Sequence, residues 1–333
     1  MRYILARLIW LPIVLWAVAS LTFLVLHLVP GDPLGQVATL VLDQAQLDRT
    51  RAEWGLDKPL WWQYGRFMGN LVRGDLGVSM ASGVPLTRLL YEKMPPTIEL
   101  ALVAMLISTV IGVGAGIISS TTRRKWLDYS ARTFAILGLS IPWFWIAILL
   151  IFVFSVKLKL TPVGGRLGVG VDYEPITNFV LIDTLMTGNW SALFSFLNHL
   201  ILPALAIGLT SAGFVARLTR SAMLEVLRAD YIRAARAKGL HWRTITLSHA
   251  LRNAILPVIT LQGLQFGTLL GGAVITELVF AWPGLGRMLL DGILRRDYAT
   301  VQGTVIFVAF FYVLMNLIVD LLYHVVDPRL REA

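Results

Sequence analysis

The sequence predicts an all-α polytopic membrane protein with six transmembrane helices, both termini inside, and an extracytoplasmic insertion after the first helix. Three observations carry this. Of 333 residues, 56% are hydrophobic and 15% charged, against about 45–50% and 25% in soluble chains. The apolar residues gather in long runs, and about 20 of them in a row cross a bilayer core about 30 Å thick. Lys and Arg concentrate in alternate connecting segments, as the positive-inside rule requires. The net charge of +9 raises the question of nucleic acid. The basic residues sit beside apolar runs, so topology accounts for them, and no nucleic-acid partner is expected. The chain has no cysteine, which excludes disulfides, zinc–thiolate and iron–sulfur sites and lipidation at Cys.

The predicted spans are residues 8–29, 98–119, 130–156, 197–216, 255–276 and 301–325. The first holds one ionisable group, His27. Arg2, Arg7 and the Ala17-Val18-Ala19 string imitate a secretory signal, but the apolar run continues well past that site. An uncleaved anchor over 1–29 is expected. The third span contains Pro142, and the sixth carries Asp320 and His324 near its end. From Arg217 to Arg252 there are eight Lys/Arg against Glu225 and Asp230. Arg123, Arg124 and Lys125 mark another inside loop. Residues 30–97 hold seven basic and seven acidic residues, and 157–196 hold three of each. These two neutral segments are placed outside, and a short tail, 326–333, inside.

The outer segment 30–97 is far longer than a connector needs. It opens on a turn-rich stop, Val29-Pro30-Gly31-Asp32-Pro33. Residues 44–54 fit a short amphipathic helix, Leu60-Trp61-Trp62-Gln63-Tyr64 fits the water–lipid interface, and Gly74-Asp75-Leu76-Gly77 is a turn. Two readings stand for this segment: a cap that receives a partner or guides a substrate, and a lid that only packs on the helices. The five-helix core is 98–325.

Catalytic and cofactor chemistry is not visible. The sequence has no phosphate-binding G-x-x-x-x-G-K-[ST], no H-E-x-x-H and no G-x-S-x-G. Its histidines (27, 199, 241, 249, 324) do not cluster at metal-ligand spacing. Glycines 112, 114 and 116 have the wrong spacing for a dinucleotide fingerprint and point to close helix packing. Glu99, Asp128, Glu277 and Asp320 fall near predicted span ends, so the mid-membrane acids of an ion-coupled carrier are missing.

Residues 231–257, YIRAARAKGLHWRTITLSHALRNAILP, carry five basic residues and no acid. Read as one helix over 224–238, Leu224, Leu227, Tyr231, Ala234 and Ala235 share a face, while Arg228, Arg233 and Arg236 lie largely off it. Gly239 stands after Lys238 as a C-cap glycine. The paired alanines leave the helix thin, and a second helical run is expected to end at Pro257. A helix docked in a groove of a soluble partner and an amphipathic helix on anionic lipid both fit.

Arg233-Ala234-Ala235-x-x-x-Gly239, followed by Ile255-Leu256-Pro257, resembles the EAA loop of permease subunits in bacterial ATP-binding-cassette importers. The general pattern has Glu where this chain has Arg233. It also has a shorter stretch between the glycine and I-L-P. Both departures resemble the peptide-importer branch. So do Gly55-Leu56-Asp57-Lys58-Pro59, Gly74-Asp75-Leu76-Gly77-Val78-Ser79 and Ser140-Ile141-Pro142-x-Phe144-Trp145. Leu160-Thr161-Pro162-Val163-x-Gly165-Arg166, Glu277-x-Val279-Phe280-x-Trp282-Pro283-Gly284-Leu285-Gly286 and Arg296-Asp297-Tyr298 complete the series. The match runs along essentially the whole chain, in order. It resembles the first ("B") permease subunit of a dipeptide/oligopeptide importer.

The resemblance implies a type I importer permease in the bacterial inner membrane. Its partners would be a second homologous permease subunit forming a heterodimer, two cytoplasmic ATPase subunits that bind the ATP and Mg, and an extracytoplasmic solute-binding protein. The chain itself would hold no cofactor. Leu227, Tyr231, Arg233, Ala234, Ala235, Arg236, Lys238 and Gly239, in the loop 223–256, would form the coupling helix seated in the ATPase. A hydrated substrate path would run between the third, fourth and fifth spans, near Pro142 and the glycines of 263–272, with Ser140, Gln262 and Gln265 as lining candidates. Those side chains equally suit hydrogen bonding between helices. Nickel or a metallophore, glutathione or another peptide-like solute are alternative cargoes. An ion-coupled secondary carrier and a membrane scaffold are the readings from other classes.

Overall fold

The computed structural model describes residues 2–29, 44–122 and 141–326, and between the last two stretches positions 124, 126, 129, 130, 133, 136 and 137. Among the described residues, regular structure is helical apart from one bridge between Val78 and Pro85. The helices are α1 (Arg2–Leu28), α2 (Gln44–Trp54), α3 (Leu60–Val72), α4 (Leu86–Thr121), α5 (Trp143–Leu150) and α6 (Val180–Thr187). Then come α7 (Trp190–Val226), α8 (Asp230–Ala237), α9 (Leu251–Ala254), α10 (Leu256–Gly272), α11 (Val274–Val279), α12 (Leu285–Leu294) and α13 (Tyr298–Val326). Two π-helical turns, Ile151–Lys157 and Thr244–Ala250, extend α5 and precede α9.

Among the described residues, four helices are long and apolar enough to cross a membrane: Ile9–Leu28, Leu86–Thr121, Trp190–Val226 and Tyr298–Ile318. They coincide with the first, second, fourth and sixth predicted spans. The predicted third span falls largely outside the described residues, as do Ser140 and Asp128. Its described part is the shorter apolar helix Trp143–Lys157. Pro142 does not kink that helix. It is the extended residue (φ −59°, ψ 131°) from which α5 starts, where a proline's fixed φ and missing N–H do no harm. The predicted fifth span is divided: α10 runs 17 residues and gives way at Ala273 to the short α11. Residues 44–54 form the predicted short helix.

The spine is the crossing of α4 and α7, of 36 and 37 residues, each about 55 Å long at 1.5 Å per residue. One face of α4 buries Ala104, Ser108, Gly112, Gly116 and Ser119, a row of small side chains at i+4 and i+3 steps. It meets Ala204, Gly208, Ala212, Ala216 and Thr219 of α7. In lipid there is no hydrophobic force between helices, so close backbone approach supplies the attraction. A Cβ on Gly112 would lie 2.6 Å from Val215 Cβ, and one on Gly116 2.5 Å from Thr219 Cβ. Gly114, between them, faces open space. The predicted role in packing therefore belongs to two of the three glycines.

Other elements pack around the spine. Phe196, Leu200, Ala204 and Ile207 of α7 meet Leu100 and Ala104 of α4, Val180 of α6 and Trp282 of the turn after α11. Ala147 of α5 packs with Leu202 and Ala206 of α7 and with Phe280. Phe266 of α10 packs on Ala101, with Phe311 and Met315 of α13 beside it. The α1 span lies outermost, with 11% of its residues buried. It is tied to α3 by Ser20 Oγ and Tyr64 OH at 2.7 Å and by His27 Nε2 and Gln63 Oε1 at 3.2 Å.

Candidate functional site

The spine has two unlike ends. Residues 223–254, with Ser119 to Thr122, form the basic end. Residues 55–99, 160–199 and 273–300 form the cap end.

At the basic end, α7 stops at Val226 and Ala229 is extended (φ −65°, ψ 150°), so α8 begins afresh at Asp230. The predicted single helix over 224–238 is thus two helices. Leu227 is the C-cap of α7, not a residue of α8, and it packs from outside on the apolar cluster beneath α8. That cluster joins Met223, Ile232, Ala235, Ile245, Ala250 and Ala254. The two alanines therefore divide. Ala235 is 8% exposed and faces this chain's own core, whereas Ala234 is exposed. The second helical run does not end at Pro257. Ile255 keeps helical dihedrals and Pro257 lies in the first turn of α10.

The end of α8 is as predicted. Gly239 has φ 76°. Its N–H donates to Arg236 O at 3.0 Å, and that of Leu240 to Ala235 O at 3.3 Å. These paired bonds satisfy carbonyls at the end of the helix. Tyr231 OH accepts from Asn253 Nδ2 at 2.7 Å, bracing α8 against α9. Arg233 pairs with Asp230 one turn earlier. Arg236, Lys238 and Arg243 are exposed and, among the described residues, form no ion pair. Around them Tyr231, Leu240, Trp242 and Leu247 are 45%, 40%, 58% and 53% exposed. Aromatic and apolar side chains rimmed by Arg are the composition of protein interfaces.

Between α5, α7 and α10 lies a cavity of about 290 Å³, lined by Trp143, Phe214, Gln265 and Thr276 among others. This is where the sequence places a path. Gln265 lines it, but Gln262 does not: its Nε2 donates to Ser108 Oγ at 2.9 Å and Thr109 Oγ1 at 2.7 Å. Gln262 thus binds α10 to α4. The short helices after α10 bring Thr276 to the cavity, which the sequence did not single out.

The cap end is held by buried carboxylates, of which Glu99, Glu277 and Asp297 have partners far away in sequence. Glu99 accepts from Arg166 at 2.6 Å and from Leu181 N at 3.0 Å. Asp183 accepts from Thr177 Oγ1 at 2.6 Å and Thr177 N at 2.9 Å. Asp297 accepts from Ser79 Oγ at 2.5 Å, Met80 N at 3.1 Å and Thr300 Oγ1 at 2.8 Å. It thereby locks residues 79–81 to the start of α13. Glu277 lies beyond the last turn of α10. It accepts from Thr97 Oγ1 at 2.6 Å and from Arg287 N at 3.0 Å, capping α12 from a distance. Burial pushes its carboxyl up to about 7, against the opposing hydrogen bonds from Thr97 and the backbone. A Cβ on Gly284 would stand 2.2 Å from Glu277 Oε1, which explains the glycine at this turn.

The model of the family described as "Binding-protein-dependent transport system inner membrane component" matches residues 112–332, and that of its N-terminal part matches 1–101. The chain is 45% identical over 322 residues to the dipeptide transport system permease protein DppB of Escherichia coli (strain K12), covering 95% of this chain and 94% of that one. It is 44% identical over 322 residues to the di/tripeptide transport system permease protein DppB of Pseudomonas aeruginosa (strain UCBPP-PA14), covering 95% of each. The fold is similar to a chain of an inward-facing MetNI methionine ABC transporter, with TM-score 0.55 and 19% identity over 72% of this chain and 96% of that one.

Proposed function

The chain belongs to the family of binding-protein-dependent transport system inner membrane components, and we propose that it moves short peptides as the permease subunit of an ATP-driven importer. Family membership makes it a multi-pass inner-membrane protein. Dipeptides and tripeptides are the cargo because relatives at 44–45% identity over nearly the whole chain are named for them.

The finer reading has six spans with the basic end and both termini in the cytoplasm. The helix 143–157 and the segment before it form the third span, and α10 forms the fifth. The cap end then faces the solute-binding protein. A second, homologous permease subunit completes the pore. The two ATPase subunits bind ATP and Mg, and this chain hydrolyses nothing.

One observation carries the coupling role: α8 is a short, exposed basic helix fixed between the ends of α7 and α10. Tyr231, Arg233, Ala234, Arg236, Lys238 and Gly239 would sit against the ATPase, with Ala235 and Leu227 holding the helix from behind. Motion of α8 would reach the spine through Met223 and Ala254, which lie in its packing cluster. Such an element can be biased from both sides, as energetic coupling demands. A helix lying on lipid does not need α8 braced by Asn253 and a capped C-terminus.

The test is reconstitution of this chain with the second permease, both ATPases and the binding protein in liposomes. Uptake of a labelled dipeptide should require ATP and the binding protein. Uptake driven by an ion gradient without ATP contradicts the reading. Preferential uptake of glutathione or a nickel complex moves the cargo and leaves the class.

A further inference from the structure

The cavity between α5, α7 and α10 has an unusual polar inventory. No charged side chain is among the described residues that line it. Two side-chain oxygens of residues that line it, Gln265 Oε1 and Thr276 Oγ1, are buried without any hydrogen-bond partner. Thr276 is wholly buried. Its neighbour in the cavity wall, Thr268, is satisfied, since Thr268 Oγ1 donates to Gln265 O at 2.7 Å. Thr210 likewise donates to Ala206 O at 2.7 Å. The orphaned pair therefore does not reflect a general lack of partners in this wall. A buried acceptor left unmade costs free energy comparable to a lost hydrogen bond, and such exceptions call for an explanation.

Building on the peptide-importer reading, we infer that Gln265 and Thr276 form a neutral hydrogen-bonding station that reads the peptide backbone of the passing substrate. Their oxygens accept the amide N–H of a peptide bond, while the apolar wall of Trp143, Ile207, Phe214 and Leu269 meets whatever side chain accompanies it. A neutral acceptor pair suits this task. A carboxylate would select for cationic cargo and hold it too tightly to release. A volume of about 290 Å³ is at the low end of ligand pockets, so the station takes a dipeptide-sized segment at a time. Gln262, one turn earlier on α10, has no part in it: its Nε2 is bound to α4, and its Oε1, though also buried without a partner, belongs to a residue that does not line the cavity.

The probe is a pair of substrates: alanyl-alanine and its ester analogue, in which oxygen replaces the peptide N–H. Uptake of each is measured in liposomes holding the complete importer, with trapped ATP and saturating binding protein. The same binding protein serves every variant, so its own preference cancels when the amide-to-ester ratio is compared between variants. The wild type should favour the amide, and in Gln265→Met/Thr276→Val that ratio should fall about tenfold. Thr276→Ser, which keeps the hydroxyl, should retain it. Should the double variant not assemble, Thr276→Val alone is read the same way and should lose part of the ratio. An unchanged ratio in a variant that transports overturns the station and leaves the importer standing. Absence of ATP-dependent alanyl-alanine uptake by the wild type overturns both.

Discussion

At the cap end, Glu99, Asp183, Glu277 and Asp297 are 5% exposed or less, and all but Asp183, whose donors are the nearby Ile176 and Thr177, are met by donors from a distant part of the chain. At the basic end, Arg233, Arg236, Lys238, Arg243 and Arg252 are exposed, and what holds α8 is a small apolar cluster and one glycine cap. The same spine thus carries an end whose charges are used up internally and an end whose charges are on offer. Buried, saturated carboxylates fix one arrangement of loops and make it costly to alter. Exposed cations contribute little to stability, so those around α8 are free to mark the inner side of the membrane and, on the proposed reading, to meet a partner.

Both ends depend on the spine, and breaking it gives the largest expected effect. Gly112→Leu or Gly116→Leu forces α4 from α7 and should abolish recovery of folded, monodisperse protein, since overpacking costs about 1–3 kcal/mol or more. Gly114→Ala should be recovered like the wild type. Next comes the cap end. Asp297→Ala orphans donors from Ser79, Met80 and Thr300, and a thermal melt should report a loss of about 2–4 kcal/mol. An equivalent melt for the wild type would contradict the claim that this end is pinned.

Glu277 adds a pH dependence of definite sign. Its folded pKa is raised from 4.5 to about 7, so the folded state holds the proton more tightly than the unfolded one. Its stabilising effect is complete below about pH 4.5 and lost as pH rises through about 7. Melting temperature should therefore fall by about 2–5 °C between pH 5 and 8, and Glu277→Gln should flatten the fall. A rise across that range, removed by the same substitution, would refute the assignment. The smallest effect comes from the way two helices end. Arg296 (φ 55°) follows α12 with the hydrogen bonds that Gly239 (φ 76°) makes after α8: Arg296 N to Ile293 O at 3.1 Å and Asp297 N to Gly292 O at 2.9 Å. A non-glycine residue pays strain there. Arg296→Gly should stabilise by about 0.5–1 kcal/mol, whereas Gly239→Ala should destabilise by about as much.

How far each region was legible in the sequence follows from the range of its interactions. Length and hydropathy are local properties, and they located the four long spans, although α7 (Trp190–Val226) runs well past both ends of the predicted 197–216. Gly239 was legible because helix capping is decided within one turn. The break between α7 and α8 was not, because Leu227 and Tyr231 keep helical spacing across an extended Ala229 that only tertiary packing reveals. Ala235 looked like an open face for the same reason, yet Met223 and Ile245 occupy it; an Ala235→Trp substitution would therefore disturb folding as well as docking. Gln262 and Gln265 are indistinguishable by type and setting in the sequence. Only the position of Ser108 and Thr109 on another helix separates the one that binds a helix from the one that lines a cavity. The cap-end acids gave one usable signal: Glu99 and Glu277 are isolated charges in apolar strings, and such charges need partners when buried. The cap-end partners, up to 218 residues away, were beyond reach.

The central claim is that α8 passes the ATPase cycle to the spine, and its most direct test is ATP hydrolysis in the reconstituted importer with Arg236→Glu/Lys238→Glu. Both side chains are exposed, so melting temperature and membrane insertion should match the wild type. Stimulation of ATP hydrolysis by binding protein and dipeptide should drop at least about tenfold, the loss given by a few kcal/mol of interface energy. Wild-type stimulation and uptake in the variant would contradict the claim and leave α8 as a helix at the membrane surface.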